Sequence, residues 1–161
     1  MLKAQNVFFA LIILLMSQPV FAATTTSNLS INATVAAGCI FGNITSVNFG
    51  NYTGVLNNAT GSIEVNCTNG TTYNISLGPG TFAGATVTTR RMTGTPSGNL
   101  AYALFRDAAR TLNWGQTIGT DTLGGTGTGG IQPYTVYGQI AAGLTPVAGS
   151  YNDTVLITIT Y

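Results

Sequence analysis

Apolar and polar side chains alternate in short runs along this chain, and two of these runs lie near its ends. The apolar members of the first run are Leu29, Ile31, Ala33 and Val35, and those of the second are Val155, Ile157, Ile159 and Tyr161. A period of two places one set of side chains on one face of a β-strand, where they can be buried. Strands near chain ends are free to leave their own sheet or to receive a foreign strand, so this pattern favours assembly by strand sharing.

Short strands separated by turns account for most of the remaining pattern. No stretch after residue 22 combines helical apolar spacing, a capping box and a C-terminal glycine. The glycine-rich run 119–130 has little to bury and is predicted to be a mobile surface loop. The architecture expected from many short strands is a β-sandwich or barrel. The predicted strands are 29–36, 44–49, 61–68, 72–77, 100–105, 134–140 and 154–161.

Residues 1–22 have the three parts of a secretory signal peptide. Lys3 supplies the positive charge, residues 7–16 form an apolar run, and small residues precede an expected cleavage after Ala22. The alternative is a transmembrane anchor, but the apolar run is shorter than the roughly 20 residues that a bilayer requires. The mature chain, residues 23–161, has the length of one domain.

Charge and residue chemistry exclude several functions. The chain has five Lys and Arg residues, one of them Lys3, against four Asp and Glu, and it has no histidine. Nucleic-acid binding draws on clustered positive charge, which is missing, so we expect no nucleic-acid partner. General acid-base catalysis lacks its usual carriers, so we expect no enzyme, no catalytic residue and no small-molecule cofactor. The carboxylates that a glycoside hydrolase could use are scattered: Glu64, Asp107, Asp121 and Asp153.

The two cysteines, Cys39 and Cys67, are expected to form a disulfide. An export signal directs both to an oxidising compartment, and their number is even. The alternative is a pair of buried free thiols. Two cysteines without any histidine are too few ligands for zinc, so no metal site is predicted.

Ordered motifs along the mature chain resemble the spore coat protein U domain, which is shared with subunits of archaic, Csu-type chaperone-usher pili. The resemblance covers the whole mature chain. The residues that carry it are Val35 to Cys39, Phe49-Gly50-Asn51-Tyr52, Ile63 to Thr68, Tyr73 to Leu77, Leu100 to Asp107, Trp114-Gly115, Tyr137 to Ile140 and Gly149 to Val155.

The resemblance implies an all-β, immunoglobulin-like β-sandwich that lacks its final strand and is completed by a donor strand from a neighbouring subunit. It implies a structural pilus subunit that is exported through the periplasm to a surface fimbrium, assembled by donor-strand exchange, and active in adhesion or biofilm formation. The implied partners are identical or related subunits, a periplasmic chaperone and an outer-membrane usher.

These implications divide the mature chain into an N-terminal donor strand, 23–36, and a pilin-type domain, 37–161. Leu29, Ile31, Ala33 and Val35 are the predicted donor residues, although the same run could be the first strand of its own sandwich. Residues of the last predicted strand are the expected groove edge and chaperone contact: Val155, Ile157, Ile159 and Tyr161.

A self-contained secreted sandwich is the alternative function, acting as a coat protein or a carbohydrate-binding module. A sugar-stacking platform could be formed by aromatic side chains, although core packing explains residues on period-two strands more simply. The aromatic residues concerned are Tyr102, Phe105, Trp114, Tyr134 and Tyr137.

Overall fold

The computed structural model describes residues 20–161, so most of the predicted signal peptide lies outside the described residues. The chain divides into two compact units between Thr34 and Val35. Residues 20–38 contain no strand, and the strand predicted at 29–36 is not formed in the single chain. Within the described part, no helix is long and apolar enough to cross a bilayer.

Ten antiparallel strands form the second unit, and the all-β prediction is confirmed. The longest strands are β2 and β8, which pair along almost their full length. The strands are β1 (Cys39–Thr45), β2 (Asn57–Cys67), β3 (Thr72–Leu77), β4 (Arg91–Thr95), β5 (Asn99–Ala101), β6 (Ala103–Phe105), β7 (Leu123–Thr126), β8 (Ile131–Ile140), β9 (Ser150–Asn152) and β10 (Ile157–Thr160).

Three sheets enclose one core in an immunoglobulin-like sandwich. The strand orders are β1-β2-β8-β6 in the four-stranded sheet, and β10-β3-β7 and β5-β4-β9 in the two three-stranded sheets. All three contribute buried side chains to a single cluster, including Val65 from β2, Ile75 from β3 and Leu100 from β5. The shared core explains why strands this short are stable, because none of the sheets could bury its apolar face alone.

Period two correctly identified the inner faces of β2 and β3. Ile63, Val65 and Cys67 alternate with partly exposed neighbours on β2, and β3 shows the same pattern. Trp114 is fully buried beside them and donates its indole N–H to the carbonyl of Ile75 at 2.9 Å. Since Tyr102 is also buried, at 9 % exposure, the sugar-platform interpretation is wrong for both side chains.

Strand boundaries were less predictable than strand faces. The prediction at 72–77 is confirmed, whereas the predicted 100–105 strand is divided by Tyr102 into β5 and β6. The 44–49 prediction overlaps β1 only at Ile44 and Thr45. Sequence patterning missed β4, β7 and β9, which contain too few large apolar residues to show a period.

The glycine-rich run was wrongly predicted to be a mobile loop, because part of it forms β7. Gly125 lies opposite Tyr73 in the β3–β7 pair. A Cβ atom at Gly125 would lie 2.7 Å from the hydroxyls of both Tyr73 and Tyr134, which themselves hydrogen bond at 2.6 Å. Glycine is therefore required where this strand crosses an aromatic pair, a tertiary contact that no local pattern shows.

Arg90 is fully buried and holds together the chain segments at one end of the core. Its Nε donates to the carbonyl of Gly78 at 2.8 Å, and its two Nη atoms donate to the carbonyls of Leu77, Trp114 and Val87 at 2.7–2.8 Å. Burial lowers the pKa of Arg90 from its usual value, and neighbouring Tyr102, Asp121 and Asp153 act in the opposite direction. One guanidinium thus satisfies four carbonyls that irregular backbone would otherwise leave unpaired.

Asp153 anchors the loop after β3 to the segment before β10. The Asp153 carboxylate accepts hydrogen bonds from the backbone N–H and hydroxyl of Thr81, both at 2.8 Å, and from the Tyr102 hydroxyl. Partial burial acts to raise the pKa of Asp153, but these hydrogen bonds, with Tyr102 first, outweigh it and lower the pKa. Glycine is required at position 80, since its φ is +89° and a Cβ atom there would overlap the Asp153 carboxylate.

Replacing Arg90 with methionine should destabilise the fold strongly, because four carbonyls, three of them in buried hydrogen bonds, would lose this donor. We expect a loss of about 3 kcal/mol or more in the free energy of unfolding, measured by urea titration followed by Trp114 fluorescence. Arg91→Met is the matched control, since Arg91 is exposed and its guanidinium hydrogen bonds to the exposed Asn99 side chain and lies over the Phe82 ring. Equal losses in both variants would contradict the structural role of Arg90.

Replacing Asp153 with asparagine should destabilise the chain in a pH-dependent manner. Because the folded-state pKa is lowered, the carboxylate stabilises the fold above its unfolded pKa of about 4, and this is lost as pH falls through the folded value. We expect a wild-type advantage of about 1 kcal/mol at neutral pH that shrinks progressively below about pH 4, measured by urea unfolding across pH. An advantage that stays constant down to strongly acidic pH would exclude this ionisation as the cause.

Candidate functional site

Two strand edges on the same side of the sandwich have no partner within residues 20–161. The first is the outer edge of β1, which pairs only with β2, and the second is the outer edge of β10, which pairs only with β3. Such edges present rows of backbone donors and acceptors that another strand can bind. The space between these two edges is the candidate site, and we call it the groove.

A β-bulge in β1 directs two large apolar side chains toward the groove. Phe41 lies opposite Val65 and Ile44 opposite Ile63, with a register shift between them. Residues directly opposite in an antiparallel pair share a face, so the bulge keeps both side chains on the inner face although they are three residues apart. Both remain open to solvent, at 37 % and 47 % exposure.

The bulge has its own local support. The backbone N–H of Asn43 donates to the Glu64 carboxylate at 3.0 Å, and Gly42 lies against the same side chain. Glu64 thereby accepts a backbone N–H within the irregular part of β1. This side chain has a structural partner, consistent with its position on the outer face of β2.

β10 supplies the other wall of the groove. Ile157 lies opposite Leu77 and Ile159 opposite Ile75, so both isoleucines lie on the inner face. They pack against the core but are only half-buried, as is Val155. The pairing with β3 is continued by a hydrogen bond from the Gly78 N–H to the carbonyl of Leu156 at 2.9 Å. The missing burial lies on the side where β10 has no neighbour.

Two clefts mark the two ends of the groove. The first, of about 540 Å³, joins Phe41 and Ile44 of β1 to residues 154–157, and is closed at its end by residues 78–81 and Gln116. The second, of about 500 Å³, joins residues 38–40 and 66–68 to Gly129 and Tyr161. Since the start of β1 lies near Tyr161 and its end near Ile157, β1 and β10 run antiparallel across the groove.

The side chains that line the groove are uncharged, and many of them are apolar. Among the described residues, the side chains lining the two clefts are aliphatic, aromatic, amide, hydroxyl or disulfide groups. The charged groups Arg90 and Asp153 lie behind the first cleft, where they hold Gly78 and Thr81 of its end wall. This lining fits an uncharged apolar strand, because a buried charge without a partner would be costly there.

The disulfide expected between Cys39 and Cys67 is present, with an S–S distance of 2.10 Å. The two cysteines lie opposite each other at the start of β1 and the end of β2. Both line the second cleft. The bridge therefore ties one wall of the groove to the body of the sandwich.

The structure places the predicted groove residues at the walls, with Val155 and Ile157 at the first cleft and Tyr161 at the second. Ile159 lies between them on the same strand. Sequence reasoning missed Phe41 and Ile44, because their spacing of three contradicts period two until the bulge is known. It also failed to identify Leu156 as a residue of the first cleft; this side chain is 70 % exposed.

The predicted donor residues belong to the N-terminal part of the chain, which forms no strand. Leu29, Ile31 and Val35 are 85 %, 86 % and 83 % exposed, and Ala33 is exposed as well. Large aliphatic side chains with such exposure gain almost no burial free energy from the fold of the single chain. Their assignment as donor residues stays a prediction.

Comparisons with known proteins agree with the fold. The chain is 40 % identical over 159 residues to Protein U of Myxococcus xanthus, covering 89 % of this chain and 88 % of the relative. The structure is similar to a chain in the crystal structure of the CsuC-CsuE chaperone-tip adhesion subunit pre-assembly complex from archaic chaperone-usher Csu pili of Acinetobacter baumannii. For that chain the TM-score is 0.59 and the sequence identity 25 %.

The structural match covers 80 % of this chain and 40 % of the solved chain, so this protein spans less than half the length of that neighbour. The family match is more extensive. Residues 25–158 match the Spore Coat Protein U domain, which includes all ten strands except the end of β10. This protein therefore belongs to the Spore Coat Protein U domain family.

Proposed function

We propose that this protein is a structural subunit of a surface fibre, a pilus, that polymerises by donor-strand exchange. The observation that carries the proposal is the groove, where the free edges of β1 and β10 face each other across an uncharged apolar surface. A single inserted strand could pair with both edges, at about 4.8 Å from each. Its side chains would at the same time cover Phe41, Ile44 and Ile157.

The occupant of the groove in the fibre is the N-terminal segment of a neighbouring subunit. Leu29, Ile31 and Val35 alternate with polar residues, and all three are exposed in the single chain. Burial of each contributes roughly 1.5–3 kcal/mol of transfer free energy, against the entropy lost on ordering the strand. The backbone hydrogen bonds of the inserted strand add to this, since both groove edges then have partners.

A contact of this kind does not close on itself. Each subunit uses its segment on one neighbour and its groove on another, so the interface is head-to-tail and propagates as a fibre. The nearly uncharged composition of the mature chain is compatible with close packing of subunits.

The order of partners follows from the need to cover the groove at every stage. We infer that a signal peptide, residues 1–22, exports the chain to the periplasm, where a chaperone occupies the groove. The similar solved chain comes from a complex of a chaperone with a tip adhesion subunit, which supports this step. An outer-membrane usher then exchanges the chaperone for the next subunit, and the fibre serves adhesion or biofilm formation at the cell surface. The role is structural rather than catalytic.

A coat protein is the second candidate, and the family match favours it. In that case the sandwich is self-contained, and the chain exists as a stable monomer whose residues 29–35 are not shared. A sugar-binding function has less support, because Trp114 and Tyr102 are buried in the core.

Unboiled and boiled samples of protein sheared from the native cell surface distinguish the two candidates on a denaturing gel. Strands buried in a neighbour's groove leave assemblies that resist detergent until heated. We expect a ladder or a very large species without boiling, and one band of the mature chain after boiling. A monomer band in both lanes would favour the self-contained coat protein.

Replacing Ile31 with aspartate should block polymerisation and leave the chaperone-bound subunit intact. The substitution places a charge in an apolar groove, and its burial would cost more than the lost isoleucine. We expect the detergent-resistant ladder to disappear while the chaperone complex is still purified in normal yield.

Asn32→Asp is the matched control, because it introduces the same charge at the adjacent position, on the opposite face of the strand. That variant should polymerise as the wild type does. Normal fibres from the Ile31→Asp variant, or equal loss of fibres in both variants, would refute the donor assignment.

A further inference from the structure

Residues 36–38 form the connector between the donor segment and β1. Thr68 binds this connector at two of its three residues. The Thr68 N–H donates to the carbonyl of Gly38 at 2.9 Å, and its hydroxyl donates toward the carbonyls of Ala36 and Gly38 at 3.3 Å and 3.4 Å. The Cys39–Cys67 bridge is the next pair in the same ladder. The β1–β2 ladder thus continues by one pair, Gly38 with Thr68, and the hydroxyl contact reaches two residues further, to Ala36, which favours residues 36–38 in line with β1.

We propose that Thr68 keeps the donor segment from entering the groove of its own chain, so that the groove is reserved for a second copy. This inference rests on the donor assignment above. The geometry makes self-insertion a genuine competitor, because the segment is covalently attached to β1, which is itself one wall of the groove. An attached strand competes at high effective concentration unless its linker prevents it.

The direction of the connector determines which residues of the donor segment would lie opposite β1 if the segment folded back. A hairpin that reversed over residues 36–38 would place Val35 opposite Cys39 and Ala33 opposite Phe41, and the segment would run along the free edge of β1 to its end. Such a strand would be antiparallel to β1 and fill the groove from within. A three-residue turn containing a glycine suits this reversal, so the sequence alone would permit it.

An extended connector removes that possibility. With residues 36–38 held in line with β1, the chain can reverse only at residues 34–35 or earlier. A turn at 34–35 would place Ile31 opposite Gly38 and Leu29 opposite Ile40, so that only one donor side chain would reach β1. Asn28 and Thr25 would then lie opposite Phe41 and Ile44, and their polar side chains would leave the first cleft without an apolar filling. Complete burial is then available only from another chain.

The side chain of Thr68 is the part of this arrangement that can be tested separately. Its N–H bond to Gly38 continues the β1–β2 ladder and would survive substitution, whereas the hydroxyl alone reaches Ala36. Thr68→Val keeps the shape and β propensity of the residue and removes the hydroxyl. Thr68→Ser keeps the hydroxyl and is the matched control.

Hydrogen exchange at residues 29–35, read by mass spectrometry, measures self-insertion directly. The full exported chain is refolded without chaperone, once at high dilution and once under conditions that allow fibres. In wild type we expect free exchange at 29–35 in the monomer and strong protection in the fibre. In Thr68→Val we expect the protected fraction of the dilute monomer to rise about twofold, because a hydroxyl contact of 3.3 Å is longer and weaker than an ordinary hydrogen bond, and we expect fibre yield to fall.

A second variant guards against a hydroxyl effect too small to detect. Thr68→Val combined with Ala36→Pro and Ala37→Asp gives residues 36–38 the turn sequence Pro-Asp-Gly, which suits a three-residue loop, and should drive most of the dilute monomer into the self-inserted state. Correct folding of each variant is confirmed by an intact disulfide and by Trp114 fluorescence.

The outcomes separate this inference from the proposed function. Protection of 29–35 in dilute wild-type monomer would overturn the inference, as would unchanged exchange in both Thr68 variants while the wild-type fibre remains protected. Free exchange at 29–35 within the wild-type fibre would instead refute the donor assignment, and the inference with it. Loss of fibre in the Thr68→Ser control would show that position 68 acts through something other than its hydroxyl.

Discussion

Unpaired backbone at the edges of β1 and β10 is the constraint on which the rest of this protein depends. Peptide groups at a sheet edge need partners, and here they lie beside inner-face side chains that the single chain only half buries. The core between these strands and the rest of the sandwich is well packed, with Val65 and Ile75 fully buried. The same strand can satisfy the backbone and cover the apolar surface, so both needs point to one kind of partner.

The remaining structure keeps the groove open and in shape. The disulfide fastens the start of β1, the bulge directs Phe41 and Ile44 inward, and Arg90 with Asp153 holds the loop that closes the far end. The supports are a covalent bond and polar contacts, whereas the side chains that line the groove are uncharged. A groove that collapsed would lose the alignment of its two edges, and a rigid frame prevents this without filling the space that a donor must enter.

At several positions, glycine lets other side chains approach the backbone more closely than a larger residue would allow. These contacts are tertiary, so sequence patterning did not predict the part of the fold that depends on them. Gly125 allows β7 to cross the Tyr73–Tyr134 pair, and Gly138 lies against Val47 and Phe49. A stretch rich in glycine reads as a loop because its own side chains bury nothing. It forms a strand here because its backbone packs closely against the Tyr73–Tyr134 pair.

Alternation along the chain by itself determined the all-β class and the inner faces of β2, β3 and β10, since a period of two decides which side chains share a face. The even cysteine count and the export pattern likewise determined the disulfide. Only the tertiary structure decided that Phe41 and Ile44 share a face, that Arg90 binds three carbonyls distant in sequence, and that β1 and β10 face each other across an unfilled space. Those features depend on a register shift and on contacts between residues far apart in sequence, which local periodicity does not encode.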